Sequence, residues 1–110
     1  SPWKRARQTA ELLAPLAEGA PTPEAGLARA PDEALLDALG ATGAARLAVV
    51  GHAPWLGELA CWLVTGVRAA DGGFVVKKGG LVHLRGAPTP GAMELRSLLP
   101  PKVLVALARA

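Results

Sequence analysis

Tyrosine is absent from this 110-residue chain, and phenylalanine and cysteine each occur once. The single Cys61 closes no internal disulfide, so the chain must hold together without covalent staples, and a reducing, cytoplasmic location is expected. With so few rings, the 51% hydrophobic content is mainly alanine and leucine, which predicts an aliphatic core. No apolar run approaches the roughly 18 residues of a spanning helix, and no signal peptide is visible, so no membrane partner is expected. The net charge of +3 is spread thinly, without a block of like charges. That argues against a nucleic-acid partner, yet is enough for a basic pocket that takes an anion. Histidine, cysteine and carboxylate residues nowhere recur at metal-ligand spacing, so neither a metal nor another cofactor is expected. The chain length fits a single small domain, residues 1–110.

What is present centres on Arg46-Leu47-Ala48-Val49-Val50-Gly51-His52-Ala53-Pro54-Trp55. Leu47 to Val50 are apolar without alternation, which predicts a strand covered on both faces, as in a parallel sheet. Gly51 permits a tight turn, and Pro54 fits the first turn of a following helix. His52 is thereby expected between the carboxyl end of a strand and the amino end of a helix, where α/β proteins collect anionic ligands.

Around this stretch the pattern alternates helices and strands. Ala6, Ala10, Leu13 and Ala17 recur at helical spacing after Pro2, with Pro15 expected to kink or end that helix. Arg5 and Arg7 lie near its start, against the helix dipole; they either answer a nearby anion or are simply solvated. Residues 18–30 form a connection with room for one short strand. Pro31, Asp32 and Glu33 then open a second helix with Leu35, Leu36 and Leu39 as its buried stripe and Gly40 as its end. A third helix runs from about Pro54 to Thr65 and stops at Gly66. Trp55 and Trp62 on it are core or pocket wall, and Glu58 faces either the site or solvent. Lys77 to Gly80 lacks the spacing of a nucleotide loop and is taken as the approach to a strand. Leu81 to Arg85 and Ala92 to Leu98 predict an antiparallel hairpin at a sheet edge, with His83 on its surface. Pro100-Pro101 starts a last helix through Leu104 and Leu107.

Two segments carry a family resemblance. Ser1-Pro2-Trp3-Lys4-Arg5-Ala6-Arg7-Gln8-Thr9-Ala10 resembles the S-P-x-x-R-A-x-Q-T-A motif of the histidine phosphatase superfamily. Gly51-His52-Ala53-Pro54, followed by Glu58-Leu59-Ala60, is similar to the G-H-N-P-x-x-E-x-L-A motif of its SixA-like phosphohistidine phosphatase branch. The resemblance extends over the carboxyl end, from Lys78-Gly79-Gly80 through Leu99-Pro100-Pro101, and so covers nearly the whole chain. It implies a three-layer α/β/α fold with a mostly parallel central sheet, and hydrolysis through a phosphohistidine intermediate. By matching position, Arg5 is the phosphate-binding arginine and His52 the second histidine, both in catalytic and substrate-binding roles, while the backbone N–H of Ala53 can still point at phosphate. A guanidinium pairs with two phosphate oxygens, and an imidazolium adds a charge-assisted donor.

The departures from the pattern matter as much. The attacking histidine of the family lies in an R-H-G motif at the end of the first strand, and this sequence contains no R-H-G. Because Ser1-Pro2 leads directly into a helical pattern, the amino-terminal strand or strands are expected to be missing. The chain is then the carboxyl-terminal part of a phosphohistidine or phosphoester phosphatase, expected to be inactive alone. The alternative is a non-catalytic phosphate- or phosphoprotein-binding domain. A phosphorylated protein or small phosphoester is the expected partner, and dimerisation through an exposed sheet edge is expected as well.

Overall fold

The computed structural model describes residues 1–17, 20–68 and 74–109. It is a mixed α/β protein whose described residues form four α-helices and one two-stranded antiparallel sheet. The chain divides into two compact units, Ser1–His52 and Ala53–Ala110.

In the first unit, helix α1 spans Lys4–Leu13 and gives way to a 3-10 turn at Ala14–Leu16. Pro15 enforces that change, since it removes an amide and its ring clashes one turn back. Of the expected apolar stripe only Ala6 is buried; Leu13 is exposed, and Ala17 lies beyond the helix. Residues 20–30 hold a 3-10 turn, Ala25–Ala28, where a short strand was allowed for, because the Glu24 carboxylate accepts from the Gly26 amide and curls the backbone. Helix α2, Glu33–Ala41, starts where expected. Asp32 caps it by accepting from the Leu35 amide at 2.8 Å, and Glu33 adds negative charge to the positive end of the helix dipole. The small core of this unit comprises Leu27, Pro31, Leu35 and Leu36, with Ala6.

The expected central strand is corrected by the structure. Leu47 to Val50 have no strand assignment; Leu47 is 49% exposed, and Val49 and Val50 are half-buried. A strand exists by virtue of its ladder, and none of the described residues supplies a neighbour to this run. Its apolar character is as expected, but its partners are not there.

The second unit is built on helix α3, Trp55–Thr65, whose Gly57, Leu59, Ala60, Cys61, Trp62 and Leu63 are buried. Leu59 and Leu63 each contribute on the order of 1.5–3 kcal/mol by leaving water. Gly66 ends the helix in the left-handed region at φ 79°, with its N–H donating to the Trp62 carbonyl, a conformation that favours glycine. The hairpin follows: β1, Leu81–Gly86, pairs antiparallel with β2, Met93–Leu99, in the register Leu81↔Leu99 through Gly86↔Met93. Between His83↔Ser97 and Leu84↔Leu95 the register shifts, leaving Arg96 as the extra residue of a bulge. Lys77 to Gly80 form a turn closed by the Gly80 amide on the Lys77 carbonyl, not an extension of β1. Helix α4, Pro101–Ala108, buries none of its residues; Leu104 is half-buried and Leu107 exposed.

One contact fixes α3 against the rest of its unit. A Cβ added to Gly57 would lie 1.9 Å from the carbonyl oxygen of Phe74, so the backbone of residues 74–76 runs directly over the helix. Only a residue without a side chain allows that approach.

Candidate functional site

Within the first unit, His52 of the second motif meets the start of the first motif. Ser1 and His52, separated by 51 positions, are joined by a 3.0 Å contact between the Ser1 hydroxyl and the imidazole Nε2. The Ser1 amine donates to the Val50 carbonyl at 2.8 Å, which ties the start of the chain to the apolar run before His52. Partial burial pushes this amine below its ordinary value of 8.0, against an opposing pull from the Glu24 carboxylate. The Trp3 amide also reaches the Ser1 hydroxyl, at 3.4 Å, and the indole packs on the histidine with ring centroids 4.6 Å apart and planes tilted by 49°. His52 is thus held at one ring nitrogen and on one face. Among the described residues its Nδ1 has no hydrogen-bond partner.

Arg5 lies in the first turn of α1, two residues after Trp3, and is exposed. Its carbonyl accepts from the Thr9 hydroxyl, and among the described residues its guanidinium makes no ion pair. Trp3 is the N-cap residue of α1 but no side chain caps the helix, and the first turn contains no acid. The amides at the helix start are therefore open, and Lys4, Arg5 and Arg7 stand exposed beside them. Uncapped amides, a dipole of positive sign and three cations accumulate charge that a single anion would offset. The first unit thus carries, at the start of α1, first-turn amides without a side-chain cap, the exposed Arg5 and an imidazole held by Ser1 and Trp3.

The remaining residues of interest belong to the second unit. Ala53 is exposed in the turn before α3, joined to Pro54 by a cis peptide bond. Glu58 is only 11% exposed and lies 3.8 Å from Arg68, whose guanidinium sits 4.8 Å from the Trp62 ring centroid. The carboxylate is engaged in that local cluster, which settles the choice left open between site and solvent in favour of neither. Counted from Gly51, the glutamate of the family motif falls on Gly57, with Glu58 one position later. The tight approach of Phe74 explains the glycine: no side chain fits there. His83 is exposed on β1 opposite Ser97, as expected of a surface residue. A hollow of about 190 Å³ beside β2 is lined by Val75, Val76, Lys77, Leu98, Leu99 and Pro100, with a single cation and no converging polar groups. It is a packing defect of an apolar surface more than a place for chemistry.

Sequence reasoning named Arg5 and His52 but gave no role to Ser1 or Trp3. The signal for Ser1 was its place in the motif, ahead of a helix start. For Trp3 there was none, since a variable motif position does not announce a ring contact.

Comparison with protein-family models, with curated proteins and with solved structures finds no match for the chain.

Proposed function

We propose that these 110 residues correspond to the carboxyl-terminal part of a SixA-like histidine phosphatase, acting on a phosphohistidine protein or a small phosphoester. The observation that carries this reading is the contact of His52 with Ser1 and Trp3 of the first motif, at the uncapped, cationic start of α1. In the reaction a histidine nitrogen attacks phosphorus, the bond to the leaving group breaks, and water then cleaves the new P–N bond. Arg5 and His52 serve by donating to the phosphoryl oxygens as charge shifts among them, the main way proteins promote this transfer. The attacking histidine is assigned to neither His52 nor His83, because neither stands in an R-H-G sequence. Little turnover is expected from these residues alone.

In the complete domain of this proposal, Leu47 to Val50 form an inner strand of a mostly parallel sheet in a three-layer α/β/α fold. Their unalternating apolar sequence supports this. A cytoplasmic location goes with it, supported by the lone Cys61 and by the lack, among the described residues, of a helix long and apolar enough to cross a membrane.

A second reading, a phosphate- or phosphoprotein-binding domain without catalysis, is favoured by one observation: the Nε2 of His52 is already engaged by Ser1. Titration with inorganic phosphate or tungstate tests the binding step common to both. Arg5→Ala and His52→Ala should each weaken binding about 10-fold or more, the range of a charge-assisted hydrogen bond. Unchanged affinity in both variants defeats the proposal. Robust hydrolysis of a phosphoester by the 110-residue chain, lost in His52→Ala, favours the enzyme and contradicts the missing-nucleophile account.

A further inference from the structure

The charge of the chain is divided unevenly between its two units. Residues 1–52 hold five Lys and Arg against six Asp and Glu, whereas residues 53–110 hold seven against three. The acids among the described residues of the second unit are already engaged, Glu58 with Arg68 and Glu94 with Arg96. Lys77, Lys78 and Lys102 are exposed and make no ion pair among the described residues. They gather at one end of the unit: a Cβ on Gly79 would lie 3.4 Å from the Pro101 Cβ, which sets the turn of Lys77 and Lys78 against the start of α4.

The same end is apolar. Lys77 borders the hollow of about 190 Å³ beside β2, where Val75 is 73% exposed and Leu98 is open as well. Helix α4 follows β2 with Val103, Val105 and Leu107 exposed, and successive residues 100° apart put them on more than one side. A helix apolar all round belongs inside a larger assembly. A bilayer is the poorer cover, because eight residues reach only about 12 Å, far short of the hydrocarbon core. A helix lying on a membrane needs a polar face along its length, whereas the cations here stand at the two ends, Lys102 and Arg109. A second copy turned onto the same face would set lysine against lysine.

We propose that this lysine-rimmed apolar face of the second unit docks an acidic segment of a partner protein, one of whose large apolar side chains enters the hollow while flanking carboxylates meet Lys77, Lys78 and Lys102. The apolar anchor supplies affinity by leaving water, and the carboxylates supply orientation and speed of encounter. None of these residues belongs to the phosphate reading, so the two stand or fall separately.

Fluorescence anisotropy on the 110-residue chain tests this with a labelled peptide carrying one leucine between runs of glutamate. Two relatives of the peptide serve as comparisons, one with alanine for the leucine and one with glutamine for the glutamates. The parent peptide should bind, less tightly as salt rises, and each relative should bind about 5-fold or more weakly. Val75→Asp, and Lys77→Glu combined with Lys102→Glu, all at exposed positions, should lower affinity to a similar extent, while Arg46→Glu in the first unit changes nothing. Circular dichroism checks that each variant is folded. No binding of the parent peptide, or equal binding by the folded variants, overturns the proposal. So does uptake by vesicles of phosphatidylserine and phosphatidylcholine that the same variants abolish, which assigns the face to a membrane. Self-association in sedimentation that Val75→Asp alone abolishes assigns it to a second copy and overturns the proposal too.

Discussion

The hydroxyl of Ser1 and the Nε2 of His52 lie 3.0 Å apart, a bond between two ends of a 52-residue unit. Either atom can donate, according to the imidazole tautomer. With Nε2 engaged by Ser1, Nδ1 is the ring nitrogen left without a hydrogen-bond partner among the described residues. Ser1→Ala should free the ring and lower phosphate affinity by about 2- to 10-fold, the yield of a neutral hydrogen bond. A titration alongside Arg5→Ala checks the order: the arginine substitution must cost more. A serine variant as damaging as the arginine one contradicts a purely orienting role.

Arg5→Lys separates charge from shape. A lysine keeps the cation at the start of α1 but loses the fork that meets two oxygens at once. Affinity for phosphate should fall between those of the native chain and Arg5→Ala, with the salt dependence retained. If lysine restores full affinity, Arg5 acts only as a point charge.

The cap of α2 gives a stability test free of any functional assumption. Asp32→Ala removes the acceptor of the Leu35 amide and should cost about 1 kcal/mol in urea unfolding. Asp32→Asn keeps the cap but loses the 3.6 Å pairing with Arg29, which is well exposed and worth little. The asparagine variant should therefore unfold close to the native chain.

Gly57→Ala should be far more harmful. The new methyl would fall on the Phe74 carbonyl, and a backbone atom cannot rotate aside as a side chain can. A loss of about 3 kcal/mol is expected, at the upper end of overpacking costs. Thermal unfolding of the variant, compared with Leu56→Ala next to it, measures this.

Association in solution is the last prediction. Among the described residues thirteen large apolar side chains are exposed, including Leu81, Leu95 and Leu98 on the hairpin, and each strand of the two-stranded sheet has an unpaired edge. Such edges recruit other strands. Sedimentation at rising concentration should show dimer or larger species; a monomer throughout would contradict it.

How much of this was legible beforehand differed by element. The limits of α3 were readable because Gly66 marks its end with chemistry that acts locally, and the same holds for Asp32 at the start of α2 and Pro15 at the end of α1. The hairpin was readable from alternation, though the bulge at Arg96 was not, since an inserted residue leaves no trace in composition. Leu47 to Val50 misled for a different reason. A sequence records the environment for which it is suited, whereas a strand is defined by the neighbour it meets. Arg5 and His52 stood out by motif, but the contacts of His52 with Ser1 and Trp3 join residues far apart in the chain, which no local pattern reports.

The open run at residues 47–50 bears on how the pairing of a further strand with it would be observed. Among the described residues no backbone N–H of this run donates to another backbone group, so these amides are exposed to exchange with deuterium. Arrival of a neighbouring strand would slow their exchange, while the amides already laddered within the hairpin would change little. The four residues would then act as a gauge, recording by their own protection whether a further strand had docked on them.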